Sequence, residues 1–135
     1  MAYKISNKHP LDNQKRKIVG FSLPMSNSAV FNPTYSTKDQ LRSNLINYFM
    51  TNKGERICNP FFGADLKKFL FENIDDITLD VLNKKIKTEI KLYFPNILLK
   101  DIKIDTNKDR NYFRIQIFYS VAKFGIEDNI NLEIG

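Results

Sequence analysis

The apolar residues of this chain change their spacing at Pro95, and that change limits the possible folds more than any other feature. Before it, Leu41, Leu45, Tyr48 and Phe49 recur at helical intervals, as do Leu79, Leu82, Ile86, Ile90 and Tyr93. After it, apolar and polar residues alternate. Ile102 and Ile104 do so first, then Phe113, Ile115, Ile117, Tyr119 and Val121, then Ile130, Leu132 and Ile134. A period of two places every second side chain on one face of a strand. Pro95 enforces the break, because proline disfavours helical backbone in the residue before it. Helices followed by a run of strands predict an α+β fold with a mainly antiparallel sheet.

Local signals set the expected boundaries. Thr37-Lys38-Asp39-Gln40 has the form of a capping box with Thr37 as N-cap, so a helix is expected over about 37–52, closed by Gly54. Leu66, Phe69 and Leu70 predict a short amphipathic helix over about 65–73, and a third helix is expected over about 78–94. Val19, Phe21 and Leu23 alternate up to Pro24 and predict a strand over about 17–23. The other strands are expected near 98–106, 111–122 and 128–134, with residues 107–110 as a polar turn. The resulting expectation is three helices packed on one small sheet. Residues 24–36 read as a loop anchored by Val30, Phe31 and Tyr35.

The 135 residues suit one domain, expected to span 17–135 behind a basic arm of residues 1–16. Five basic residues, Lys4, Lys8, Lys15, Arg16 and Lys17, face only Asp12 in the first seventeen positions. The net charge of +6 is therefore uneven. Such an arm suits a nucleic acid or an acidic protein surface, but no nucleic-acid-binding motif accompanies it, so no specific nucleic-acid partner is expected. The opening residues lack the apolar run of a secretory signal. No stretch approaches the roughly eighteen apolar residues of a membrane helix, so a soluble product without a membrane partner is expected. Cys58 is the single cysteine and has no internal disulfide partner. It reads as a small buried residue.

Catalysis has few candidates. Glycoside hydrolysis needs two carboxyl groups about 5 to 9.5 Å apart, and a chain with fifteen acids offers many chance pairs. Glu55 beside Arg56 reads as a member of an ion pair or of a partner contact, and Glu72 as a helix-end ligand for backbone or a cation. The chain has no Trp to stack a sugar. His9 is the only histidine and lies in the arm, so neither a His-based triad nor a metal cluster is expected. Gly54 and Gly63 lack the context of a phosphate loop, and no cofactor is expected.

The densest motif runs from Gly54 to Glu72. A helix stop, an aromatic loop punctuated by Pro60 and Gly63, and a short apolar stripe follow one another there. Phe61 and Phe62 together in a loop predict one core residue and one docking anchor, and Arg56 offers a planar donor fork for a partner or for an internal pair with Glu55, Asp65 or Glu72. Gly54, Glu55, Arg56, Pro60, Phe62-Gly63, Leu66 and Leu70-Phe71-Glu72 resemble the signature of the baseplate wedge and sheath-initiator family of contractile phage tails. That family also carries a lysozyme-like label and has relatives in type VI secretion baseplates. The resemblance extends over roughly 20–134.

The resemblance implies a small domain whose sheet is like the inner domain of a tail sheath subunit. It implies a structural, non-enzymatic role in the virion's tail baseplate, assembled in the host cytoplasm, with muramidase activity carried by Glu55 and Glu72, as the lysozyme-like label suggests, or a type VI baseplate role as alternatives. Other wedge proteins and sheath subunits would be the partners. The chain would be a monomer alone and present in several copies in the baseplate. The sheath would be seeded by a sheet edge around Ile130, Leu132 and Ile134. Many members carry Glu-Pro-Arg after the long helix as a wedge contact. Here Phe94-Pro95-Asn96 stands instead, so Phe94 would offer an apolar contact, or Glu55 and Arg56 would take more of the docking.

Overall fold

The computed structural model describes residues 10–13, 17–25, 31–70, 75–107, 112–122 and 125–134. Among them are two α-helices and two sheets, which corrects the expectation of three helices on one sheet. Strand β1 (Gly20–Phe21) pairs antiparallel with β2 (Pro33–Thr34) in a ribbon of its own. Helix α1 spans Thr37–Met50 and α2 spans Asp76–Tyr93. Strands β3 (Ile97–Asn107), β4 (Tyr112–Val121) and β5 (Ile126–Ile134) form an antiparallel sheet in that order.

The differences have local causes. The segment expected as a helix over 65–73 is a 3-10 turn at Leu66–Leu70, and residues 71–73 lie outside the described residues. Gly63 and Asp65 before it hold left-handed backbone, with φ of 122° and 58°. Five residues are too few to repay nucleation of an α-helix, and the tighter 3-10 form is the usual short solution. The strand expected over 17–23 keeps only two residues in a ladder. Backbone hydrogen bonds from the Val19 N–H to the Thr34 carbonyl and from the Ser22 N–H to the Asn32 carbonyl, both 2.8 Å, flank that ladder, and Pro24 stops it. Val30, expected as an anchor, lies outside the described residues, while Phe31 and Tyr35 are exposed.

Helix α1 begins one residue earlier in capping register than its sequence suggests. Ser36, in extended conformation, is the N-cap; its Oγ accepts from the Asp39 backbone N–H at 3.2 Å and donates to the Asp39 carboxylate at 2.9 Å. Thr37 is freed for another task. Its N–H and hydroxyl both donate to Asp12 Oδ1, at 2.9 and 2.8 Å, from a 3-10 turn at Pro10–Asn13. At the far end of α2, Phe94 is the C-cap ahead of Pro95, and its N–H reaches the Ile90 carbonyl.

Register places the alternating residues on one buried face. Ile117 of β4 stands between Ile102 of β3 and Ile130 of β5, and Ile115 stands between Ile104 and Leu132. Both helices cover this face, α1 over β5 and α2 over β3. Leu45, Tyr48 and Phe49 of α1 and Leu82, Ile86 and Ile90 of α2 share one buried cluster with Ile115, Ile117 and Tyr119 of β4. Burying each such aliphatic side chain contributes about 1.5–3 kcal/mol. One polar junction crosses the core: Tyr48 donates its O–H to Glu89 of α2, and Lys53 Nζ reaches the same carboxylate at 2.6 Å. Burial, then the hydrogen bond to Glu89, pushes the Tyr48 phenol well above its ordinary pKa.

Candidate functional site

The Gly54–Phe62 loop leaves α1 and returns to the core within a few residues. Thr51 caps the helix, its N–H and hydroxyl both donating to the Asn47 carbonyl. Gly54 takes φ of 90° and donates its N–H to the Pro60 carbonyl at 2.7 Å, which closes the loop at its neck. Glu55 belongs to this neck: its carboxylate accepts from the Asn52 backbone N–H at 3.1 Å and from Asn52 Nδ2 at 2.7 Å. Gly63 lies so close to α1 that a Cβ there would come within 2.4 Å of the Thr51 carbonyl oxygen.

Phe62 anchors the loop. It is 8% exposed, and its ring stands edge-on to Tyr48 and Tyr93, each with centroids 5.3 Å away. The Arg56 guanidinium lies 3.9 Å from the centre of the same ring, so Arg56 covers an aromatic face, and among the described residues no ion pair joins it to Glu55 or Asp65. Asp65 is bound instead by Lys68 at 2.6 Å. Phe61 points away and is 76% exposed, and Ile57 at the tip is 98% exposed. Cys58, read from sequence as buried, is exposed beside them, because the loop turns its residues 55–61 outward. Ile57 escaped the sequence reading. An isolated aliphatic between Arg56 and Cys58, outside any period, was the available signal.

The turn after α2 converges on the same cluster. Phe94 is half-buried and meets Tyr48 edge-on at 5.9 Å. Pro95 and Asn96 are exposed, and the Asn96 carbonyl accepts from the Ala122 N–H, tying the turn to the end of β4. Arg56, Phe62 and Phe94 thus gather around Tyr48, while Phe61, Ile57, Pro95 and Asn96 face outward.

Ile130, Leu132 and Ile134 lie elsewhere. All three side chains face the core, at 1, 7 and 6% exposure. What β5 offers outward is its backbone edge, which is unpaired among the described strands. Glu127, Asn131 and Glu133 alternate with the buried residues on the opposite face. Arg114 of β4 binds Glu133 at 2.6 Å across that face. Tyr119 of β4 donates to Asp128 at 3.2 Å; burial foremost, then Asp128, raises its phenol pKa far above the ordinary value.

Glu72 lies outside the described residues, and Glu55 is exposed with both oxygens turned to Asn52. A general acid for glycosides needs apolar surroundings that keep it protonated, which Glu55 lacks. Among the described residues no group of three or more His, Cys, Asp or Glu is arranged to hold a metal ion. No helix among them is long and apolar enough to cross a membrane.

Residues 36–124 match the family model described as Baseplate wedge protein gp25. A 57-residue stretch, 42% of this chain, is 35% identical to Baseplate wedge protein gp25 of Enterobacteria phage T4 and spans 43% of that protein. Among solved structures, a chain of the anti-feeding prophage (AFP) baseplate is similar at 30% identity and a TM-score of 0.62, over 76% of this chain and 84% of that one. A candidate tail lysozyme of Geobacter sulfurreducens superposes with a TM-score of 0.64 over 73% of this chain and 90% of its own. At 22% identity it shares the fold.

Proposed function

The chain belongs to the Baseplate wedge protein gp25 family, and from that membership we propose that it is a structural subunit of the baseplate wedge in a contractile tail. In this reading it resides in the virion, is assembled in the host cytoplasm, and is a monomer until several copies enter the baseplate. Residues 17–135 form the docking domain, and within the basic arm the turn at residues 10–13 is held to α1 through Asp12. Other wedge proteins engage the loop tip at Ile57 and Phe61 together with Pro95 and Asn96. Arg56, Phe62 and Phe94 hold both contact points on one aromatic cluster. Such a rigid apolar anchor beside satisfied polar neighbours is the usual composition of a binding hot spot.

The sheath contact is assigned to β5. The observation that supports it is a nine-residue strand ending the sheet order, its outer edge unpaired among the described strands and its register fixed by buried Ile130, Leu132 and Ile134. A strand of the first sheath ring would satisfy that edge's N–H and C=O groups, and the fixed register would tell it where to lie. Hydrogen exchange tests this directly. Outward β5 amides should exchange fast in the free chain and become protected when sheath is added to baseplates. If every β5 amide exchanges alike in both states, sheath does not pair there. Peptidoglycan hydrolysis finds no supporting arrangement in Glu55, whose carboxylate is spent on the loop neck.

A further inference from the structure

Strand β5 puts a charge where its neighbours put hydrocarbon. Its inward row runs Ile126, Asp128, Ile130, Leu132 and Ile134, so one carboxylate interrupts a line of buried aliphatic side chains. The Asp128 side chain is 11% exposed. Tyr119, its cross-strand partner on β4, donates its O–H to the carboxylate at 3.2 Å, and Lys38 Nζ of α1 stands 3.5 Å away. Arg42 and Asp39 of α1 act on the Tyr119 phenol in opposite senses, and no ion pair joins Arg42 to Asp128 among the described residues. A carboxylate has about four acceptor sites, and these contacts use only part of them. With β4 on one side and α1 above, what remains of Asp128 is open toward the free edge of the strand.

The two margins of the sheet are protected differently. Strand β3 is interrupted by a register shift between Leu99 and Asp101. Strand β5 keeps continuous register with β4 from Ile126 to Ile134, and a straight edge is the kind that pairs with any strand that meets it. An inward-pointing charge is one device that prevents this, because an added strand would cover it. Asp128 therefore disfavours any strand that would strip water from its carboxylate and put nothing in its place. A second copy of β5 is a poor occupant as well, since the strand holds Glu127, Asp128 and Glu133 and no basic residue.

We propose, resting on the reading that a foreign strand completes β5, that the accepted strand carries a lysine or arginine opposite Asp128, set between aliphatic residues that face Ile126 and Ile130. The pair they form selects the partner and its register, because a cation one residue out of step would point to the other face of the sheet. Directly opposed side chains on adjacent strands have Cβ atoms about 4.5–5.5 Å apart, within reach of a charge-assisted hydrogen bond. A depression lined by Lys38, Gly125, Ile126 and Glu127 leaves room for a long basic side chain. Lys38, 46% exposed, gives up its loose contact as the new cation arrives.

The test uses the full chain and three labelled nine-residue peptides of alternating valine and threonine, identical except for lysine, leucine or glutamate at the central valine. Fluorescence anisotropy gives the affinity, and hydrogen exchange of the β5 amides gives the place of binding. The lysine peptide should bind about tenfold more tightly than the leucine peptide, which leaves the carboxylate unanswered, and the glutamate peptide should bind most weakly. Asp128→Asn keeps an oxygen for the Tyr119 hydroxyl and should erase the lysine preference; Glu127→Gln, on the opposite face, should keep it. Should Asp128→Asn fail to fold, Lys38→Met provides a second reading, since removing the competing ammonium should enlarge the preference. Equal protection of β5 by lysine and leucine peptides, or a preference that survives Asp128→Asn or shrinks in Lys38→Met, overturns the proposal and leaves strand pairing standing. Protection of β5 by none of the three removes the pairing itself, and the proposal with it.

Discussion

Phe61 and Phe62 are adjacent and chemically identical, yet the structure assigns them opposite energetic roles, so truncating each to alanine is a sharp experiment. Phe62 is 8% exposed and meets two aromatic rings at 5.3 Å and a guanidinium at 3.9 Å. A buried phenylalanine truncated to alanine costs about 3–5 kcal/mol. Each edge-on aromatic pair adds about 0.5–1.5 kcal/mol beyond burial. Partial collapse of the loop offsets part of this, so Phe62→Ala should cost about 3–4 kcal/mol. That is a large share of the roughly 5–15 kcal/mol that holds a domain together. Phe61→Ala, at 76% exposure, should stay within about 0.5 kcal/mol of the unaltered chain. Urea unfolding followed by circular dichroism reads both, and the midpoint should move for Phe62→Ala with little change of slope. Equal losses for the two variants, or a loss below about 1 kcal/mol for Phe62→Ala, would refute the anchoring argument.

Four further outcomes are expected. Ser36→Ala should cost about 1 kcal/mol as an N-cap, and thermal melts that leave it neutral would return that role to Thr37. Gly63→Ala should lower the unfolding midpoint far more than Gly54→Ala, since both have positive φ but only at Gly63 would a Cβ strike backbone, at 2.4 Å from Thr51 O. Removing residues 128–135 should yield a chain without a cooperative melt, because it takes Ile130, Leu132 and Ile134 from the core; a well-folded truncation would contradict the packing. Finally, Tyr48 and Tyr119 have folded-state pKa values raised above the ordinary 10.0. Their contribution is complete below about pH 10 and declines as the unfolded chain begins to lose those protons, by about 1.4 kcal/mol per pH unit for each. Alkaline unfolding curves of Tyr119→Phe should therefore fall less steeply with pH than those of the unaltered chain.

The helical intervals of Leu82, Ile86 and Ile90 and the alternation of Ile115, Ile117 and Tyr119 were readable because long periodic segments override local noise. How those segments divide into layers was not. Nothing in Val19-Gly20-Phe21 says that glycine and threonine, rather than valine and phenylalanine, face the helix; that follows from Gln40 and Ser43, which sequence distance hides. The capping register slipped by one residue because Ser36 and Thr37 are both good caps, and Asp12, some twenty-five residues earlier, claims the threonine. Within the candidate site, one inward and one outward phenylalanine was a fair inference from the loop. That Arg56 would lie on Phe62, and that Ile130, Leu132 and Ile134 would face inward, needed the fold.

The junction of Tyr48, Glu89 and Lys53 also has a mechanical meaning. Traction applied at Ile57 or Phe61 passes down the loop to Phe62 and reaches the Tyr48 ring, from which it divides between α1 and, through Glu89, α2. A tug on that tip is therefore spread over both rods and the slab beneath them, where a lesser fastening would let the last turn of α1 peel away alone.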